Sequence, residues 1–202
     1  MQIESHERMC FLKSKIYGIH NRTLLKLTRP LHLLLAALTY FFGASLADYL
    51  GKPFRADSFW LGLVMILLLQ IAMNLLSEVY RPHNEPLLES ETRADKITLR
   101  NNALYISMAA IASIAVIAYI LFNTNHLPLA SFFFLIFSLV MILINSTPPF
   151  RLINRGFGEF LLAVQLAYAY PSIAFTLQTT TTHPFLAVTL PLTFLAFSFF
   201  IV

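Results

Sequence analysis

Six apolar stretches, near residues 31–49, 59–80, 103–122, 128–147, 157–178 and 185–202, take up most of this 202-residue chain. Each reaches or approaches the roughly 20 helical residues needed to cross a hydrocarbon core. Runs this continuous lack the alternation of a barrel strand, so helices are the form they take. Composition closes the alternatives. The chain is 57% hydrophobic and 12% charged, where a soluble domain carries about a quarter charged residues. With 19 Phe it is also no disordered chain. The single cysteine, Cys10, excludes a disulfide framework and a Cys-based zinc site. The expected fold is all-α, a polytopic transmembrane helix bundle in a lipid bilayer. One membrane domain, 31–202, follows a basic arm, 1–30. The first apolar run lies too far in, and lacks the small-residue cleavage site, for a signal peptide.

Lys and Arg set the expected topology. Arg8, Lys13, Lys15, Arg22, Lys26 and Arg29 lie in the arm. Arg81, Arg93, Lys96 and Arg100 follow the second span, and Arg151 and Arg155 follow the fourth. The opposite side holds only Lys52 and Arg55. By the positive-inside rule the N-terminus and the even-numbered loops are cytoplasmic, as in a multi-pass protein of a bacterial cytoplasmic membrane. A net charge of +4 in so apolar a chain fits membrane anchoring, with no nucleic-acid partner. The last span ends in FLAFSFFIV with no basic or polar anchor after it.

Polar residues inside spans are costly, so their positions carry information. At about 100° per residue, Gln70, Asn74, Ser77, Glu78 and Arg81 fall within one sector of the second helix. Snorkelling and interhelical hydrogen bonding account for Arg81 and Gln70. They account poorly for Glu78, whose short carboxylate cannot reach far. This face is the candidate site. In the loop that follows, Glu85 stands nearest to it. Glu89, Glu91 and Asp95 read as a solvated loop and a first helical turn. Carboxylates beside such a face are suited to Mg²⁺, which takes one or two of them together with phosphate oxygens. His83 has no partner at metal spacing and reads as neither ligand nor catalyst.

The loop NSTPPFRLINRGFGEF lies on the same side. Pro148 and Pro149 end the fourth helix, and Gly156 and Gly158 allow a tight turn. Arg151 and Arg155 can grip a phosphate or simply anchor the loop, and Glu159 suits a helix start. Ser131, Ser138 and Asn145 recur every seven residues in the fourth helix, the spacing of helix-packing glue. Tyr168 and Tyr170 are either tunnel-lining or packing aromatics.

Three segments together resemble the UbiA family of membrane prenyltransferases. They are the basic arm ending in LTRP, the NLLSE stretch closing helix two, and the PPFRLINRGFGE loop before helix five. The loop is most similar to the branch acting on 1,4-dihydroxy-2-naphthoate, and the resemblance runs from about Leu24 to Val202. It implies transfer of a polyprenyl group from an isoprenoid diphosphate to an aromatic acceptor in quinone biosynthesis, with Mg²⁺ as cofactor. It implies Asn74 and Glu78 in the metal–diphosphate site, Glu78 and Glu85 as metal ligands, and Arg29, Arg81 and Arg155 on the diphosphate.

The chain departs from the family pattern N-D-x-x-D-x-x-x-D. Asn74 matches, Leu75 replaces the first Asp, Glu78 keeps the second acidic position, and Pro82 replaces the last. The family fold has nine spans, with a second acidic motif after the sixth. Six spans here, ending at Val202, lead to the expectation of a longer natural protein. A non-catalytic relative that binds isoprenoid lipids or membrane partners is the alternative. A small transporter ranks third, since no paired intramembrane charges or matched broken helices occur.

Overall fold

The computed structural model describes residues 27–80, 93–124, 126–179 and 187–201. Among these residues every regular element is a helix. They are α1 (Pro30–Tyr49), α2 (Ala56–Val79), α3 (Arg93–Asn123), α4 (Leu129–Ser146), a 3₁₀ turn (Leu152–Arg155), α5 (Gly158–Thr179) and α6 (Thr189–Ile201). The first five are long and apolar enough to cross a membrane. The chain is an all-α, integral multi-pass membrane protein.

Proline punctuates these helices. Pro30 opens α1, where its missing N–H removes nothing the first turn needs. Thr147, which precedes Pro148, is extended and ends α4. The sixth span, expected over 185–202, is a 13-residue helix beginning at Thr189. Pro191 sits in the first turn, where a missing N–H costs the helix nothing. Helix α3 begins ten residues before the apolar run 103–122, because its polar first turns continue the helix beyond the apolar part.

Pro171 lies inside α5, where its ring presses on the carbonyl four residues back, that of Ala167. The helix widens there into a π turn, Gln165–Ala169, and the Tyr170 N–H reaches back to the Gln165 carbonyl. A single wider turn relieves what an α-helical register would force into a clash.

Helix α2 is the centre of the bundle, touching α1, α3, α4 and α5, while α6 lies on the first half of α5. Met65, Ile66 and Leu69 of α2 pack into one core with Ile173 and Leu177 of α5. Helix α1 adds a stripe of Ala36, Tyr40, Gly43, Ala44 and Ala47, spaced at three and four residues. A Cβ at Gly43 would fall on the Pro171 backbone, so α1 and α5 meet main chain to main chain. The Tyr40 hydroxyl lies over Gly62 and donates to the Phe59 carbonyl at 2.8 Å. The outer faces present Leu34, Leu38, Tyr105, Met108, Phe133, Phe194 and Phe199. Water would penalise so large an apolar surface, whereas lipid tails do not.

Candidate functional site

The start of α1, the ends of α2, α4 and α6, and the start of α5 meet at one end of the bundle around a cavity of about 220 Å³. Its wall is made by Arg29, His32, Met73, Asn74, Ser77, Asn145, Ile153, Gly158, Glu159, Leu162 and Phe200. The opposite end has a different character. There Gln178 of α5 bonds both backbone groups of Arg55, at 2.8 and 3.3 Å, and so fastens the start of α2.

The polar face of α2 is buried as its periodicity predicts. Gln70, Asn74, Ser77 and Glu78 are all inside. The Gln70 amide donates to Asn74 Oδ1 at 3.0 Å, and the Tyr170 hydroxyl donates to Gln70 Oε1 at 3.0 Å. Asn74 Nδ2 in turn donates to the Thr28 carbonyl at 2.6 Å. Ser77 donates to the Asn74 carbonyl, which lies within its own helix. A continuous polar chain therefore runs from the middle of α5, through α2, to the backbone entering α1. Burial of such groups is tolerable because nearly every member has a partner.

Arg29 donates through Nη2 to Glu78 Oε1 at 2.9 Å, with side-chain exposures of 43% and 9%. The structure thus brings Arg29, Asn74 and Glu78 together. Glu78 is engaged in an ion pair. Arg81 and Glu85 lie outside the described residues. Arg155 ends the 3₁₀ turn at this same end of the bundle, and its side chain also lies outside the described part. Arg29 and Arg151 have left-handed backbones, φ 50° and 37°, and are the only non-glycine residues among those described that do. Both immediately precede a helix or turn at the polar end. Such conformations cost of order 1–3 kcal/mol and concentrate at functional sites.

The loop glycines divide the work. Gly156 takes φ 80°, which a side chain would resist, and so makes the expected turn. Gly158 is instead a close contact, since a Cβ there would strike Ile153. The two tyrosines point to different neighbours. Tyr170 is fully buried in the polar chain, while Tyr168 stacks edge-on against Phe134 at 6.0 Å. Neither lines the cavity.

His32 and Asn145 line the cavity although the sequence reading gives them no site role. His32 lies in the first turn of α1, immediately after the basic residue that enters the helix, and that closeness to Arg29 is the signal for it. Nothing in the heptad separates Asn145 from its packing mates. Glu159, expected only to favour a helix start, also stands in the wall.

No group of three or more His, Cys, Asp and Glu residues converges among the described residues. The donors present still fit Mg²⁺ in kind. Glu78 and Glu159 are carboxylates, and Mg²⁺ is commonly held by one or two of these with phosphate oxygens completing the shell. No protein-family model, curated protein or solved structure matches the chain.

Proposed function

We propose that this polar end binds an isoprenoid diphosphate and that the chain is a UbiA-type prenyltransferase. It would pass the prenyl group to an aromatic acceptor of the 1,4-dihydroxy-2-naphthoate kind. One observation carries the reading: of the described residues that the resemblance singles out, Arg29 and Asn74 line a cavity with polar walls on an otherwise apolar bundle, and Glu78 is ion-paired to Arg29. The excess of basic residues at this end makes it, and the N-terminus, cytoplasmic, in a bacterial cytoplasmic membrane.

Each residue has a definable task. Arg29 presents a fork of donors suited to phosphate oxygens. Asn74 holds the Thr28 carbonyl and so fixes where Arg29 enters the site. Met73, Leu162 and Phe200 keep water from the reacting carbon, which an allylic cation requires. Mg²⁺, held through Glu78 with Glu85, would supply positive charge to the diphosphate as it leaves.

The test is prenyl transfer by membranes containing the full-length protein, with and without Mg²⁺. Glu78→Gln should abolish the Mg²⁺-dependent rate; an unchanged rate would remove the proposed role. The Arg29–Glu78 pair favours a second reading, a non-catalytic binder of isoprenoid lipids, because it engages the one acidic residue in register. That reading predicts lipid binding indifferent to Mg²⁺ and no turnover at saturating substrate.

A further inference from the structure

The heptad Ser131, Ser138, Asn145 does not behave as one packing unit. Ser131 donates to Thr176 of α5 at 2.7 Å, an interhelical bond of the expected kind. Asn145 Oδ1 accepts no hydrogen bond, although the residue is 2% exposed. A buried acceptor left unpaired costs about 1–3 kcal/mol. Asn145 also differs from Ser131 in place, since it stands in the wall of the polar cavity.

A second acceptor in the same wall is in the same condition. His32 Nδ1 is buried without a hydrogen-bond partner and, with the ring proton on Nε2, is an acceptor. The same wall carries the apolar side chains of Met73, Ile153, Leu162 and Phe200. The Phe200 ring meets the His32 ring edge-on, centroids 6.1 Å apart, and forms a flat boundary. Acceptor atoms repel an anion and attract a hydroxyl proton. The apolar side chains suit the faces of a ring. The cavity therefore sets hydrogen-bond acceptors beside the guanidinium of Arg29.

We infer that Asn145 and His32 line a specificity subsite that selects a hydroxylated aromatic ring, its hydroxyl donating to one or other of the two acceptors, beside Arg29. The inference deepens the proposed reaction and rests on it only for the ring's role as prenyl acceptor. Hydroxyl recognition itself follows from the two orphan acceptors.

The experiment compares 1-naphthol with 1-methoxynaphthalene, which keeps the ring and lacks the donor. Equilibrium dialysis against the full-length protein in nanodiscs, with the signal of empty nanodiscs subtracted, reads both affinities. Naphthol should bind at least about tenfold more tightly than the ether. The double variant Asn145→Leu/His32→Phe, which removes both acceptors, should reduce that ratio toward one. Equal binding of the two probes to the unmodified protein overturns the subsite, and this comparison needs no variant to fold. Transfer and recognition fail separately. Discrimination without prenyl transfer leaves the subsite standing and removes the reaction. Transfer with equal probe binding removes the subsite alone.

Discussion

Arg29 and Glu78 join the entry of α1 to the end of α2 through a 2.9 Å ion pair. One helical turn earlier on α2, Asn74 holds the neighbouring Thr28 carbonyl at 2.6 Å. Two bonds from positions i and i+4 of one helix thus staple two consecutive residues of the incoming chain. The staple lets Arg29 keep a left-handed backbone at the mouth of the cavity. It also separates two roles that a mutation series can distinguish.

Removing the charge of Glu78 should cost little stability. Arg29 is 43% exposed, so solvent screens the pair, and Glu78→Gln should lose about 1 kcal/mol or less. Asn74→Leu should cost more, about 1–3 kcal/mol. It leaves the buried Gln70 amide short of a partner and breaks the bond to the Thr28 carbonyl. Thermal unfolding in detergent ranks the two, and a larger loss for Glu78→Gln would contradict the staple.

Gly43 and Gly51 make a matched pair. Gly43→Ala forces a Cβ into the main chain of Pro171, and neither backbone can yield without moving α1 from α5. The expected loss is about 1–3 kcal/mol. Gly51→Ala meets no neighbour and bears only the strain of φ 70°, about 1 kcal/mol. Thermal unfolding should show the larger drop at position 43. Equal drops would mean that α1 and α5 are not in main-chain contact.

Ser131 and Ser138 occupy the same face of α4 with opposite consequences. Ser131→Ala breaks a buried bond to Thr176 and should cost about 0.6–1.7 kcal/mol, the range for such bonds between membrane helices. Ser138 Oγ has no hydrogen-bond partner, so Ser138→Ala should be neutral or stabilising. A loss at Ser138 as large as that at Ser131 would show that its hydroxyl is satisfied by a bound water.

The residues that sequence alone exposes are those whose cost is local. A carboxylate and two amides inside a 24-residue apolar helix stand out because lipid cannot solvate them, and the 3.6-residue period places them on one face. Their partners are not legible in this way. That Asn74 bonds Thr28 and Glu78 bonds Arg29 depends on how α1 returns to the end of α2, which no spacing encodes. The π turn is hidden for a related reason. Pro171 announces an irregularity, but packing decides whether the helix kinks or widens. Asn145 is the clearest loss: its spacing from Ser131 predicts the same role, and only position along the helix axis makes one a packing bond and the other a cavity wall.

The most direct measurement is the affinity of geranyl diphosphate for the full-length protein in nanodiscs, compared with Arg29→Gln and Lys52→Gln. Lys52 follows α1 at the bundle's opposite end and serves as a charge-matched control. A diphosphate site at Arg29 predicts a loss of at least about tenfold for Arg29→Gln, as expected for a hydrogen bond to a charged group, and little change for Lys52→Gln. Equal affinities for all three proteins would contradict it.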